Sequence, residues 1–416
     1  MTAKQIDCPI EQEAKKHNNI AIYLSNQEIS YQQLNHHINV VMDMLKSKLK
    51  DEQIICIALS NKYLQLLLSW ALLRLNKTIF PLNHNLLAEN LKNIITKHNI
   101  TTLITDKNIN SYIPIQTPNE LEMLNSPLKN HQLNTDKAAT IIHTSGSTGK
   151  SKGVVHTINH HITSSKASSK LIRLKDNNCW AWNLPLHHVS GLSILFRVFF
   201  AGISLYIPEK NEILHNNQTI THISVVPTQL QDILTQPKSS PNATHHLKAV
   251  LVGGDYCPKD ILSEAIKQKL PVYNTYGMSE LASQIATQKC STENITYSGE
   301  LLPHISAKII DNELCIKSDS LCLGYLENGK LNKNIIQNQW FHTKDIAEIH
   351  NNQIKIIGRK DRMFISGGEN IYPEQIEQAI LDTSLVKYVS VKPADHPKYG
   401  KRPIAYIIPA HKKENI

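Results

Sequence analysis

His143-Thr-Ser-Gly-Ser-Thr-Gly-Lys-Ser-Lys-Gly153 is the stretch on which the reading of this 416-residue chain turns. Gly146, Gly149 and Gly153 have no side chains, so backbone N–H groups there can approach phosphate oxygens closely. Thr144, Ser145, Ser147 and Thr148 add hydroxyls, and Lys150 and Lys152 add positive charge. A plain surface turn has a similar composition. The sharper competitor is a Walker A loop, because Gly149-Lys150-Ser151 reproduces the end of G-x-x-x-x-G-K-[ST]. Two features argue against it: Thr144 stands where that motif begins with glycine, and the β-branched pair Val154-Val155 follows where a helix should open. The loop is therefore expected at the tip of a β-hairpin.

Upstream, apolar residues at helical spacing over 31–49, 63–75 and 88–98 alternate with short apolar runs at 54–59, 78–82 and 101–105. Such alternation predicts a parallel sheet covered on both faces. Residues 107–136 are polar and Asn-rich, which predicts a surface connection. A second alternating block runs over 138–285, with strands expected near Ile223, Ala249 and Val272. Short strand signals at 307–310, 313–316 and 347–350, separated by turns, then predict a small antiparallel barrel. Gly358-Arg-Lys-Asp-Arg362 punctuates the chain before a helix over 373–381. The expected class is α/β. Residues 1–360 would hold two αβ-sheet subdomains and the small β-barrel, and 361–416 a partial, truncated α+β domain.

The formal charge of +9 is dispersed along the chain, so a polyanionic small molecule accounts for it as well as a nucleic-acid surface does. Seven scattered cysteines with no C-x-x-C pair read as reduced thiols, and the 21 histidines lie in unrelated local patterns that do not suggest a structural metal site. The most apolar segment, 64–75, is interrupted by Gln65, Ser69 and Arg74, and the first residues lack an apolar core. No membrane insertion and a cytoplasmic location are expected.

Four further segments accompany the loop in order: Tyr276-Gly-Met-Ser-Glu280, Trp340-Phe-His-Thr-Lys-Asp345, Gly358-Arg-Lys-Asp361 and Ile365-Ser-Gly-Gly-Glu-Asn-Ile-Tyr-Pro-Glu-Gln-Ile-Glu377. Together they resemble the adenylate-forming superfamily of acyl-CoA synthetases, luciferases and peptide-synthetase adenylation domains. That resemblance implies an adenylate-forming fold and the use of ATP, Mg²⁺ and coenzyme A. Residues 144–150 and Lys152 would hold the β- and γ-phosphates, and Tyr276 would present a flat face to the adenine. Gly277 would admit backbone close to the nucleotide. Ser279 keeps the hydroxyl of the family's usual threonine, and Glu280 would bind Mg²⁺. Asp345 would accept from the ribose hydroxyls, with Arg359 nearby. Asp361 would be the hinge, and Gly367 and Gly368 a turn leaving room for pantetheine. Each has a plain alternative: a core aromatic for Tyr276, a solvated acid for Glu280, a surface ion pair for Arg359.

Leu184-Pro-Leu-His-His-Val-Ser-Gly-Leu-Ser-Ile-Leu-Phe-Arg197 bears most on the acid. It resembles the pattern of the o-succinylbenzoate:CoA ligases of menaquinone biosynthesis. His188 is then implied near the carboxylate and acyl pocket, with a helix cap or core role as its alternative. Arg197, four residues after Ser193 on an expected helix, could hold the second carboxylate of a dicarboxylic acid or reach to the surface. Gly253, Gly254 and Gln284 extend the likeness as pocket wall and lining, whereas Asp255 stands where the pattern has a small residue. The expected partners are a small carboxylic acid, ATP and coenzyme A, with no nucleic acid, and a homodimer is among the assemblies open to it. Another acyl- or aryl-CoA synthetase, a carrier-protein-loading enzyme and a nucleotide-binding protein with little turnover remain as alternatives.

In the superfamily a late Gly-Lys motif places a lysine on the reacting carboxylate. Lys401 lies too early for that role, and Lys412 and Lys413 lack the motif. The 416-residue chain is therefore expected to bind ATP and acid but to form adenylate slowly. Pyrophosphate exchange as rapid as that of full-length relatives would contradict this.

Overall fold

Residues 54–58 show how the sequence builds the interior: Ile55 and Ile57 enter one apolar cluster, while Cys56 and Ala58 enter another on the opposite side. A strand buried on both faces needs no polar alternation. The computed structural model describes residues 4–16, 19–46, 48–49, 52–107, 130–144, 151–209, 217–235 and 244–410.

The first sheet has seven strands, in the order Lys330–Asn332, Gly324–Glu327, Lys152–Thr157, Ala138–Thr144, Thr78–Pro81, Ile54–Ala58 and Thr102–Thr105. The strands at 54–58, 78–81 and 102–105 pair in parallel, as expected from the helices Lys62–Arg74 and Ala88–Lys97 between them. The second sheet has eight strands: Ser283–Lys289, Val272–Met278, Ala249–Val252, His222–Val225, Cys179–Ala181, Ser204–Tyr206, Ile20–Leu24 and Gln27–Ser30. The helices Tyr31–Lys46, Lys62–Arg74 and Val189–Ala201 share one core with both sheets, through Ile55, Ile57 and Ile79 on one side and Ile22, Trp180 and Leu205 on the other.

The assignment of strands to sheets does not follow chain order. The hairpin 138–157 joins the first sheet and the hairpin 20–30 joins the second. Apolar patterning reports burial, not which sheet a strand enters. The later strand signals form a six-stranded antiparallel sheet running from Gly299–Glu300 through Gln353–Arg359, Trp340–His350 and Glu313–Ser318 to Ile305–Ile310, with Ile336–Gln337 paired beside Trp340. Beyond Arg359 come the hairpin Phe364–Ser366/Glu369–Ile371, the helix Pro373–Leu381 and the hairpin Val386–His396/Gly400–Pro409.

No helix among the described residues is long and apolar enough to cross a membrane. All seven cysteines are free thiols.

The helix Val189–Ala201 packs so tightly at Gly191 that a Cβ there would collide with the Pro185 carbonyl, while Trp182 Nε1 donates to the Gly191 carbonyl at 3.0 Å. Overpacking against backbone cannot be relieved by a rotamer change. Gly191→Ala is expected to cost about 1–3 kcal/mol, read as a lower urea midpoint with an unchanged slope.

Candidate functional site

The strand Ala138–Thr144 pairs antiparallel with Lys152–Thr157, with Thr144 opposite Lys152 and His143 opposite Gly153. The phosphate loop is thus borne by a hairpin, as Val154-Val155 implied, and not by the strand-to-helix turn of a Walker A site. The expected phosphate contacts Ser145, Gly146, Ser147, Thr148, Gly149 and Lys150 lie outside the described residues. A Cβ on Gly153 would lie 2.9 Å from Ile141 Cγ2 and 3.2 Å from Leu326 Cβ of the neighbouring strand, so glycine permits close packing there.

At the base of the hairpin the Lys152 ammonium stands 4.4 Å from the ring centroid of Tyr325. The Tyr325 hydroxyl donates to Glu280 Oε1 at 2.9 Å. Glu280 sits in a short 3-10 turn, Ser279–Leu281, that follows the strand Val272–Met278. Two bonds to its carbonyls hold this turn: the His156 side chain meets the Ser279 carbonyl through Nε2 at 2.6 Å, and the Cys322 backbone N–H donates to the Glu280 carbonyl at 2.8 Å. Lys152 and Glu280, far apart in sequence, therefore flank one phenol ring.

Tyr276 and Asp345 also meet. The Tyr276 hydroxyl donates to Asp345 Oδ2, and Arg359 donates to Asp345 Oδ1 at 2.9 Å. Arg359 reaches Asp361 with two further bonds, at 3.2 and 3.1 Å. Asp345 is 5% exposed; burial lifts its carboxyl above the usual range, and Arg359 and the Tyr276 bond oppose that rise. For Arg359 burial works against the charge, but the bonds to Asp361 and the field of Asp345 outweigh it and hold the guanidinium above its ordinary value. A carboxylate has about four lone-pair sites, so Asp345 retains capacity for ribose hydroxyls. Gly277 faces a β-bulge: a Cβ there would strike the Ser283 carbonyl, so the hairpin itself requires glycine.

Arg197 and Gln284 come together in the interior. Both are 2% exposed, and Arg197 Nη2 donates to Gln284 Oε1 at 2.8 Å. Gln284 is fixed in that orientation because its Nε2 donates to Thr287 Oγ1 at 2.7 Å. The guanidinium lies over the Trp180 ring, 4.6 Å from its centroid, and its Nε has no hydrogen-bond partner. Among the described residues no carboxylate pairs with it, and burial draws its pKa down to about 10. Burial excludes the surface-reaching alternative for Arg197.

His188 is placed elsewhere. It is the N-terminal flank of the helix that carries Arg197, with no side-chain cap bond. At ~1.5 Å per residue the two stand roughly 13 Å apart along the axis. His188 and His187 line a cavity of about 320 Å³ with Lys62, His84 and Asn183. Gly253 and Gly254 follow the strand Ala249–Val252, and a Cβ on Gly253 would lie 2.6 Å from Thr275 Cγ2. Asp255 is exposed and accepts from the Tyr256 N–H at 2.7 Å. Gly367 and Gly368, with φ of 59° and 91°, form the two-residue turn of the hairpin 364–371, a geometry that glycine adopts without strain.

Tyr325, His156 and Trp180 were not legible as site residues. None sits in a motif, and their partners Glu280, Ser279 and Arg197 are distant in sequence. The usable signal is topological: Gly324–Glu327 pairs with the loop hairpin, which places Tyr325 opposite Val154.

With the hairpin 138–157, the Tyr276–Asp345–Arg359 cluster and the two flanking sheets in place, residues 10–326 match the AMP-binding enzyme family, to which the chain belongs. Among individual proteins it is similar to a 2-succinylbenzoate–CoA ligase from Haemophilus influenzae, 35% identical over 271 residues, 65% of this chain and 59% of that protein. The chain thus spans about three-fifths of the length of such curated relatives. Its fold resembles o-succinylbenzoate CoA synthetase from Bacillus subtilis in complex with the acyl-adenylate intermediate OSB-AMP, with a TM-score of 0.87 and 25% identity over 99% of this chain and 90% of that one. The same synthetase in complex with ATP and magnesium ion gives a TM-score of 0.87 and 25% identity over 98% and 91%.

Behind the Glu280 turn lie two buried histidines, His156 and His161, and the half-buried His160. His156 contacts the rings of His160 and His161 at centroid distances of 5.6 and 5.1 Å, and His161 stacks on Phe196 at 4.2 Å. Burial first, and then the His160 imidazole, draw His156 down to about 3, burial draws His160 to about 4, and burial with the imidazoles of His156 and His160 draws His161 well below its usual value. Unfolding lets each bind a proton from about pH 6.5 downward. Since the unfolded chain binds more protons in that window, stability is full above about pH 6.5 and falls as the pH drops toward 4. Urea midpoints between pH 7.5 and 4 should decline accordingly, and the decline should be shallower in His161→Asn. A flat profile would contradict the neutral cluster.

Proposed function

We propose that this protein activates o-succinylbenzoate as its acyl-adenylate with MgATP and passes the acyl group to coenzyme A. The observation that carries the substrate class is the buried Arg197 guanidinium, which pairs with no carboxylate among the described residues. An unpaired buried cation is costly. A second carboxylate on the substrate removes that cost through charge-assisted hydrogen bonds. A fatty or simple aromatic acid does not. Resemblance to ligases of this acid supports the same choice.

In the first step an oxygen of the aliphatic carboxylate attacks the α-phosphorus of ATP. The bond to the leaving β-phosphate breaks, and pyrophosphate takes the electron pair. Glu280 suits Mg²⁺: it offers hard oxygen, and its Oε2 accepts no hydrogen bond from the described residues. Bound there, the cation would neutralise phosphate charge. Lys152 and the loop 144–150 hold the β- and γ-phosphates, Ser279 and Tyr276 border the adenosine, and Asp345 with Arg359 takes the ribose. In the second step the coenzyme A thiolate attacks the acyl carbonyl and AMP departs. Asp361 is read as the hinge between residues 1–360 and 361–416, with Gly367 and Gly368 beside the pantetheine arm. No cysteine takes part; burial raises the thiols of Cys56, Cys179, Cys257 and Cys322 and keeps them inert. A cytoplasmic site of action fits this chemistry.

Arg197→Met tests the reading with two observables that move in opposite directions. Removing an unpaired buried charge should leave the melting temperature unchanged or raise it. Loss of one or two charge-assisted bonds should weaken o-succinylbenzoate binding roughly 10- to 100-fold while ATP binding is retained. Unchanged affinity for the acid would refute the role of Arg197, and a preference for benzoate or a medium-chain fatty acid would refute the substrate.

A further inference from the structure

Glu280 is held by its neighbours in two different ways. His156 and Cys322 fix its backbone turn, whereas only Tyr325 touches its carboxylate among the described residues. The same phenol carries the Lys152 ammonium on its face, 4.4 Å from the centroid. Tyr325 therefore contacts, with its oxygen and its ring, the two charged residues that the proposed reading places on MgATP. Opposite charges brought to one ring would be expected to collapse into an ion pair, yet Lys152 and Glu280 form none among the described residues. The ring offers the ammonium a cation–π contact instead.

We propose that Tyr325 is a positioning residue of the nucleotide site. Its hydroxyl fixes the Glu280 carboxylate through Oε1 and leaves Oε2 available to a divalent cation. Its ring holds Lys152 apart from that carboxylate, so both charges stay available to the nucleotide rather than cancelling each other. The strand pairing of Gly324–Glu327 with Lys152–Thr157 makes this geometry a property of the fold: Tyr325 lies opposite Val154, two residues from Lys152. The inference rests on the reading of Glu280 as the carboxylate for Mg²⁺.

Calorimetric titration of the whole chain with ATP at a series of Mg²⁺ concentrations tests it without requiring turnover. Tyr325→Phe keeps the ring and removes the hydroxyl. It should raise the Mg²⁺ concentration for half-maximal ATP binding by roughly 3- to 10-fold, the effect of one hydrogen bond, and leave Mg²⁺-free ATP binding unchanged. Tyr325→Leu also removes the ring face, and should in addition weaken Mg²⁺-free ATP binding by about 2- to 5-fold. A purely structural tyrosine would instead lower the melting temperature of both variants with no change in Mg²⁺ dependence, and that result would overturn the proposal. Glu280→Gln separates the two layers. If it abolishes the Mg²⁺ dependence while both Tyr325 variants keep it within about twofold of the parent, the positioning role is wrong and the metal reading stands. If it leaves the dependence intact, the metal reading fails and the inference falls with it.

Discussion

The Arg197 guanidinium is enclosed by Trp180, Gln284 and the helix that bears it, with one hydrogen bond and no carboxylate among the described residues. Much of the surrounding architecture serves to keep it so. Trp180 is held in its strand by a bond from Nε1 to Ser224 Oγ at 3.2 Å and by the stacked ring of His222 at 5.1 Å. His222 stays neutral there, drawn down to about 3 by burial first and then by Lys248 and Arg197. Gln284 spends its amide N–H on Thr287, which leaves only its carbonyl oxygen to face the cation. Trp180 and Gln284 hold the positive charge without neutralising it, and under the proposed reading the anionic substrate would offset its cost.

The half assigned to the nucleotide in the proposed reading is arranged on a different principle. Its charges are partnered in advance: Asp345 by Tyr276 and Arg359, Glu280 by Tyr325, Lys152 by an aromatic face. Partnered charges lose less on dehydration than isolated ones, and they hold their directions before the nucleotide arrives. Arg359 also ties Asp345 to Asp361, so the carboxylate read as the ribose partner and the residue read as the hinge share one guanidinium.

Much of this was legible in the sequence because each signal was local. The helix over Pro373–Leu381 and the strand Ala249–Val252 match their expected ends, and Val154-Val155 foretold the hairpin. What local pattern could not convey was pairing across the chain. The hairpin 138–157 reads as the start of a second block, yet it completes the first sheet, because inward-facing apolar strands look alike whichever sheet receives them. The same limit hid Tyr325, which acquires its place only when its strand pairs with the loop hairpin. Gly277 was legible as special but for another reason: the bulge between Tyr276 and Gly277 brings the Ser283 carbonyl against its Cα.

The claim that a dicarboxylate completes the Arg197 pocket is tested most directly on the unmodified chain. Calorimetry with o-succinylbenzoate and with the analogue lacking only the ring carboxylate compares two ligands that differ at the one group Arg197 is held to bind. The account predicts that the analogue binds at least about 10-fold more weakly, with the difference persisting at high salt because the pair is buried. Equal affinities for the two acids would contradict it.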